Sequence, residues 1–216
     1  MPHAQSQFLK MTTVPVGRLI SSLAVPTIIS MLVTSIYNMA DTYFVSQIGT
    51  SASGAVGVVF SLMAIIQAVG FTIGMGAGTW ISRLLGARLL DEARSVASSA
   101  YYLSLLLGGA VAVAGLGTID PLMRLLGATD TILPYAKEYA SYILYAAPIM
   151  AASFLLNNIL RAEGRAQFAM IGITAGGILN IFLDPLFIFT FRLGIAGAAI
   201  ATALVSSSMK VAYNDD

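Results

Sequence analysis

The sequence has no cysteine and a single histidine, His3, in its polar N-terminal tail. The lack of cysteine excludes disulfides, thiolate metal ligands and cysteine nucleophiles. A single histidine is too few for most histidine-based metal or catalytic sites. We therefore expect a protein that is not an enzyme and that has no cofactor.

Charged residues are also scarce. The chain of 216 residues has 11 basic and 10 acidic side chains, which is 10% of the sequence, whereas 57% of its residues are hydrophobic. An ordinary soluble domain is about 25% charged. This composition argues against a soluble globular domain and against disorder, and a net charge of +1 argues against a nucleic-acid partner. What remains is an all-α, polytopic membrane protein.

The positions of the charges predict the membrane spans, because a helix needs roughly 20 apolar residues to cross the hydrocarbon. The interval Thr42–Ser82 has 41 residues and no charge, too long for one span, and the polar run Gln47–Gly54 breaks it. Asp41 and Asp184 are included in their spans. We predict six helices, at about residues 19–47, 53–82, 95–118, 135–160, 166–191 and 193–213.

The basic residues predict the orientation. With the N-terminus inside, eight Lys and Arg residues fall on inner segments and three, Arg124, Lys137 and Arg192, on outer segments. This asymmetry satisfies the positive-inside rule, so we expect both termini in the cytoplasm and the chain in the inner (plasma) membrane. In the longest outer connection, Asp130 is a candidate N-cap for the fourth helix.

Three glycines on the second predicted helix, Gly70, Gly74 and Gly78, recur at every fourth position. Such faces let two helix backbones approach closely in lipid. Together with Gly76 they could suggest a nucleotide-binding loop, but no strand precedes them, as that motif requires. We interpret the glycines as a packing face.

Asp41 and Asp184 lie inside predicted spans, where a carboxylate is costly and points to function by default. From the expected outer helix ends, Asp41 is about 9 Å deep and Asp184 about 10 Å deep. Since the spans contain basic residues only near their ends, each carboxylate must bind a proton, a metal cation or a cationic ligand, or open onto water. The alternative is that the two aspartates only hold helices together or reach the outer interface.

Polar neighbours accompany both aspartates. Asn180 precedes Asp184 by one turn, Pro185 removes a helical donor beside it, and Thr202 on the sixth helix lies at a similar depth. On the first helix one face is polar through Ser30, Thr34, Tyr37, Asn38 and Asp41. Carboxylate, amide and hydroxyl oxygens suit a hard cation such as Na⁺, and two close carboxylates also suit proton binding.

Several motifs, in order, resemble one family. They are Pro26, Tyr37–Asp41, Gly74–Gly78 with Arg83 and Gly86-Ala87, Asn157–Gly164, Leu179–Pro185 and Gly194–Thr202. From about Gly17 to Ser208 the chain resembles the N-terminal half of a multidrug and toxic compound extrusion (MATE) transporter of the DinF-like branch. The resemblance implies efflux of cationic, amphipathic drugs coupled to H⁺ or Na⁺ entry. It implies cation binding, Na⁺ included, by Asp41, Asn180, Asp184 and Thr202, with cavity or supporting roles for Pro26, Tyr37 and Asn157.

The family has twelve helices in two lobes, and this sequence holds one. The expected partners are therefore the lipid bilayer, cationic drug-like substrates and a missing C-terminal lobe. The alternatives are an inactive fragment, a dimerising half-transporter, and a lipid-linked oligosaccharide flippase of the same superfamily. An intramembrane aspartyl protease is disfavoured, because Asp41 and Asp184 lack the sequence contexts of those enzymes. A six-helix channel or scaffold is a further, weaker alternative.

Overall fold

The computed structural model describes residues 14–191 and 193–208, with side chains described up to residue 202. In this part of the chain the fold is all-α. Five helices are long and apolar enough to cross a membrane. The elements are α1 (Val16–Ser46), α2 (Thr50–Gly86), α3 (Leu90–Gly117), a short α4 (Ile119–Leu125), α5 (Leu133–Ala162), α6 (Ala166–Pro185), a π-helical turn (Leu186–Thr190) and α7 (Ile195–Ser208).

Some helices extend beyond the expected limits. α2 begins at Thr50 and not at about residue 53, because the reversal needs only Gln47, Ile48 and Gly49. Gly49 has φ +151°, which side chains rarely adopt. The basic segment 83–94 is also mostly helical. It contains the last turn of α2 and the first turn of α3, and only residues 87–89 form the turn between them. The expected end of the sixth span, residues 209–213, and Arg192 lie outside the described residues.

Helix α5 forms the centre of the bundle. It packs against α2, α3, α4, α6 and α7, and 72% of its most apolar window is buried, against 11–33% for the other four long helices. Its abundant alanines allow neighbours to approach from every side. α1 packs mainly on α6 and leaves much of its apolar surface exposed. The most peripheral helix is therefore the one that carries Asp41.

The glycine face of α2 packs against α5, as predicted. A Cβ on Gly70 would lie 2.6 Å from the Ala151 carbonyl oxygen, and one on Gly78 would lie 2.9 Å from the Ala162 Cβ. The Ser82 hydroxyl of α2 also donates a hydrogen bond across this interface, to the Ala162 carbonyl of α5 at 2.9 Å. By contrast, a Cβ on Gly76 would meet open space, so Gly76 belongs to no such contact.

Substitution of Gly70 tests this packing. We expect Gly70→Ala to destabilise the purified protein by about 1–3 kcal/mol, since the added methyl meets the α5 backbone and overpacks the interface. Gly76→Ala on the same helix is the matched control and should leave the melting temperature unchanged or raised, because alanine is the better helix former. Thermal unfolding in detergent measures both. Equal melting temperatures for the two variants would contradict a closely packed glycine face.

Two exposed ion pairs link α4 to the connection that follows it and to α5. Arg124 pairs with Asp130 at 2.8 Å, and Lys137 of α5 pairs with Asp120 at 2.6 Å. The prediction that Asp130 caps the fourth long helix is wrong. The helix begins at Leu133 after Ile132, with no side-chain cap. The Asp130 carboxylate is instead used in the pair with Arg124.

Candidate functional site

The seam between α1 and α6 brings the two aspartates together. At one end, Ser22 and Leu23 line a small cavity with Gly164–Phe168. Midway, a Cβ on Gly177 would lie 3.1 Å from Tyr37 and Val33, and further along Asp41 and Asp184 interact electrostatically. These three observations fit one register, in which α1 and α6 run parallel and residue n of α1 lies level with about residue n + 143 of α6.

On α6 the two predicted ligands are buried and bonded to each other. The Asn180 side-chain nitrogen donates to Asp184 Oδ1 at 3.3 Å. Asp184 is 0% exposed and Asn180 is 2% exposed. Directly after them, Pro185 ends the α-helix, which continues as the π-helical turn. A proline that cannot donate to the preceding turn explains why the regular ladder stops at this point.

Three oxygen atoms of the predicted ligands are buried and have no hydrogen-bond partner among the described residues. They are Asp41 Oδ1, Asn180 Oδ1 and Asp184 Oδ2. Buried polar atoms are nearly always satisfied in native proteins, and an orphaned carboxylate oxygen is among the most costly exceptions. All three atoms are acceptors or proton-binding oxygens, so the site is suited to a positive ligand.

Tyr139 of α5 lies at the centre of this cluster. It is fully buried, and its hydroxyl interacts with Thr202 of α7 and, electrostatically, with Asp41, Asp184 and Tyr37. Four helices, α1, α5, α6 and α7, therefore contribute to the site. The sequence contains nine tyrosines, and nothing in its spacing distinguishes this one.

Close packing at the start of α7 positions Thr202. A Cβ on Gly197 would lie 2.7 Å from the backbone carbon of Phe187, within the π-helical turn that follows Asp184. Gly194 has φ +55° where the chain turns into α7, a conformation that glycine adopts at little cost. The turn after Asp184 is thus the surface on which α7 rests.

Two of the predicted supporting residues lie elsewhere. Asn157 is buried on α5, but it is 18 residues from Tyr139, or about 27 Å along the helix. Pro26 is buried inside α1, 15 residues or about 22 Å from Asp41. Tyr37 alone of the three joins the cluster. Any contribution of Asn157 and Pro26 must therefore act from the opposite end of the bundle.

That opposite end carries paired charges beside the small cavity. Glu163 and Arg165 flank Gly164, which has φ +78°. Burial raises the pKa of Glu163, and the neighbouring Arg165 opposes that shift. The Arg165 guanidinium also lies 4.6 Å from the centre of the Phe168 ring. Local interactions of Arg165 with Glu163 and Phe168 therefore stabilise the turn between α5 and α6, at the end of the α1–α6 seam.

The donor set defines the chemistry that the cluster can perform. Among the described residues there is no group of three or more His, Cys, Asp or Glu side chains that could hold a metal ion. Two carboxylates, an amide and hydroxyls fit a proton or a hard monovalent cation. Ionisable side chains between apolar helices are typical of the ion and substrate pathways of membrane proteins.

Comparison with known proteins identifies the kind of transporter. The family model MatE matches residues 26–186, and the chain belongs to this family, whose members are transporters and not enzymes. The chain is 34% identical over 192 residues to an FAD transporter of Shewanella oneidensis, covering 87% of this chain and 42% of that protein. It is also 34% identical over 191 residues to the multidrug export protein MepA of Staphylococcus aureus, covering 88% and 42%.

Solved structures give the same result for the fold. A MOP superfamily transporter from Pyrococcus furiosus aligns with a TM-score of 0.84 and 39% identity over 90% of this chain and 44% of its own. The structure of a MATE P26A mutant aligns with a TM-score of 0.86 and 37% identity over 95% and 46%. The chain thus spans less than half the length of the relatives that it matches, consistent with an N-terminal half.

Proposed function

We propose that this chain is the cation-binding lobe of an antiporter that expels cationic, amphipathic compounds as H⁺ or Na⁺ enters. The observation that supports this most strongly is the pair Asp41 and Asp184 at the α1–α6 seam. Asp184 is buried and Asp41 is partly buried, and each carboxylate has one buried oxygen without a hydrogen-bond partner among the described residues. A carboxylate pair in hydrocarbon costs free energy unless a cation neutralises it. Binding and release of that cation is the chemistry that antiport requires.

Each residue of the cluster has a role in this proposal. Asp41 and Asp184 hold the proton or Na⁺, and Asn180 orients the Asp184 carboxylate through its hydrogen bond. Tyr139 and Thr202 supply hydroxyl oxygens from α5 and α7. A second lobe completes the transporter, because alternating access rocks one repeat against another around a central cavity.

The charge of the lobe favours a cationic substrate. One relative is named an FAD transporter and another a multidrug export protein, at equal identity, so similarity alone does not choose between them. In the described part of the membrane bundle, the buried charged side chain is Asp184, whereas basic residues occur at helix ends. An anionic nucleotide or a lipid pyrophosphate would need basic partners within the cavity, and this argues against the flippase alternative.

Transport by a joined protein tests the proposal. We would fuse this chain to the C-terminal half of the Pyrococcus furiosus relative and reconstitute the fusion in liposomes. We expect an imposed proton or sodium gradient to drive movement of ethidium, a fluorescent cation, and not of FAD. Whichever gradient is effective identifies the coupling ion. Gradient-driven movement of FAD without ethidium would overturn the cationic-substrate proposal.

The proposed topology makes a separate prediction. With both termini in the cytoplasm, a cysteine at Gly164 should react only with membrane-permeant thiol reagents in intact cells. A cysteine at Thr129, on the other side, should react with impermeant reagents added outside. The native chain has no cysteine, so no background labelling is expected from it. The reverse pattern would contradict the proposed orientation.

A further inference from the structure

The polar face of α1 continues well beyond the cation cluster. From Asp41 and Tyr37 it runs through Thr34 and Ser30 to Thr27, 14 residues or about 21 Å along the helix. Ser30 is 1% exposed, in the half of the span remote from Asp41. A binding site in one half of the membrane does not need a polar face of this length, and a hydrophobic seam would pack α1 on α6 equally well.

The hydroxyls on this face share one arrangement. Thr27, Ser30 and Thr34 each donate to the carbonyl oxygen four residues earlier, at 2.8–2.9 Å. Their hydrogens are therefore used within α1, and what each oxygen still offers is its lone pairs. A row of oxygen acceptors is what a water molecule or a hydrated cation binds.

A hydroxyl on the facing helix lies at the same depth. Thr174 Oγ1 of α6 is buried and has no hydrogen-bond partner among the described residues. In the shared register Thr174 lies level with about residue 31 of α1, between Ser30 and Thr34. Helix packing alone gives no reason for an unsatisfied hydroxyl at this position.

A small cavity lies beyond these hydroxyls. It is lined by Ser22, Leu23 and Gly164–Phe168, at the far end of the seam. Along α6, Thr174 is ten residues or about 15 Å from Asp184, and seven residues or about 10 Å from Gln167 of the cavity. Thr174 is thus an intermediate point between the cation cluster and the end of the bundle that carries Gly164.

We propose that the coupling cation leaves the Asp41–Asp184 site along the α1–α6 seam toward the Gly164 end. The hydroxyl oxygens of Ser30 and Thr174 bind the cation about halfway along this path. This inference rests on the proposed cation coupling. A hydrated Na⁺ would exchange water oxygens for hydroxyl oxygens there. A proton would be taken up by the Thr174 oxygen from one water as its own hydrogen passes to the next. The path lies wholly within this chain.

The seam is closed in this structure. Gly177 is packed against Tyr37 and Val33, and a Cβ on it would lie 3.1 Å from each. Passage therefore requires α1 to separate from α6 for part of the time. Such openings are measured by the rate at which a cysteine in the seam reacts with a water-soluble reagent, since the thiolate that reacts forms only where water reaches it.

Cysteine labelling of the 216-residue chain in liposomes tests the path, with labelled protein counted by mass spectrometry. A charged, impermeant methanethiosulfonate reagent applied from the Gly164 side should modify Thr174→Cys about tenfold faster than Ala175→Cys. Ala175 is exposed at the same depth on another side of α6, which makes it the matched control. The same reagent applied from the opposite side should modify Thr174→Cys slowly.

A second pair keeps the test valid if one variant fails to fold. Ser30→Cys should likewise react about tenfold faster than Ser35→Cys, because Ser35 makes the same bond to its own helix at 3.1 Å but is exposed on another face. Equal slow rates within both pairs would overturn the path. Because Asp184→Asn does not alter the seam hydroxyls, its effect on coupling tests the proposed function independently of this result.

In the joined transporter the hydroxyl itself is tested. Thr174→Val, which removes the hydroxyl at constant shape, should slow gradient-driven ethidium movement severalfold, and Thr174→Ser should restore it. The gradient that drives the unmodified fusion shows whether the path carries H⁺ or Na⁺. Transport by Thr174→Val at the unmodified rate under that gradient would contradict a role for the Thr174 hydroxyl in the path.

Discussion

We expect Asp184→Asn to abolish gradient-driven efflux of a cationic substrate, to the level of empty liposomes, while the protein still inserts in the membrane. This is the expected result if Asp184, bonded to Asn180 at 3.3 Å, carries the coupling ion. Asparagine has nearly the shape of aspartate but neither its charge nor its exchangeable proton. The measurement is ethidium movement in liposomes containing this chain fused to the C-terminal half of the Pyrococcus furiosus relative.

Further variants of Asp41 and Asp184 distinguish proton binding from Na⁺ coordination. Asp41→Asn should behave like Asp184→Asn, and the double variant should be little worse than either, because residues that act as a unit are not additive. Asp184→Glu keeps the charge but adds a methylene. It should retain partial activity if the site binds a proton and lose more if it coordinates Na⁺, where ligand geometry matters more. Efflux by Asp184→Asn at the unmodified rate would show that the aspartate only packs helices.

The second large effect concerns the single lobe. The 216-residue chain alone should insert in membranes and give no gradient-driven ethidium movement above empty liposomes, whereas its fusion to a second lobe should transport. The reason is that a central cavity needs two walls that rock against each other, and in the proposed function this chain forms one of them. In the structure, 11% of the most apolar window of α1 is buried, so most of this surface is left for lipid or for a second lobe.

A matched control accompanies this experiment. The fusion carrying Asp184→Asn contains both lobes but lacks the coupling charge, so it separates the need for a second wall from the need for the site. Robust efflux by the unfused chain would contradict the prediction. It would indicate that two copies of this chain supply the two walls, as in a dimeric half-transporter.

The sequence by itself was sufficient to predict an all-α membrane protein and to single out Asp41 and Asp184, whose function stays a prediction. Both conclusions depend on the free energy of a single side chain in hydrocarbon, which is large and independent of its neighbours. The intervals without charge therefore predict long apolar helices, and a charge inside such an interval stands out. The glycine face of α2 could be predicted for a similar reason, since its spacing follows from helix geometry alone.

The partners of each side chain were decided by tertiary packing. Tyr139 joins the site, and Asn157, five turns away on the same helix, does not, because the register of α5 against α6 and α7 selects which end meets Asp184. Asp130 pairs with Arg124 and does not cap a helix, since a nearby cation outweighs a weak local preference. Thr174 drew no attention in the sequence, because a threonine in a helix usually bonds its own backbone. In the structure its hydroxyl is buried and has no partner among the described residues.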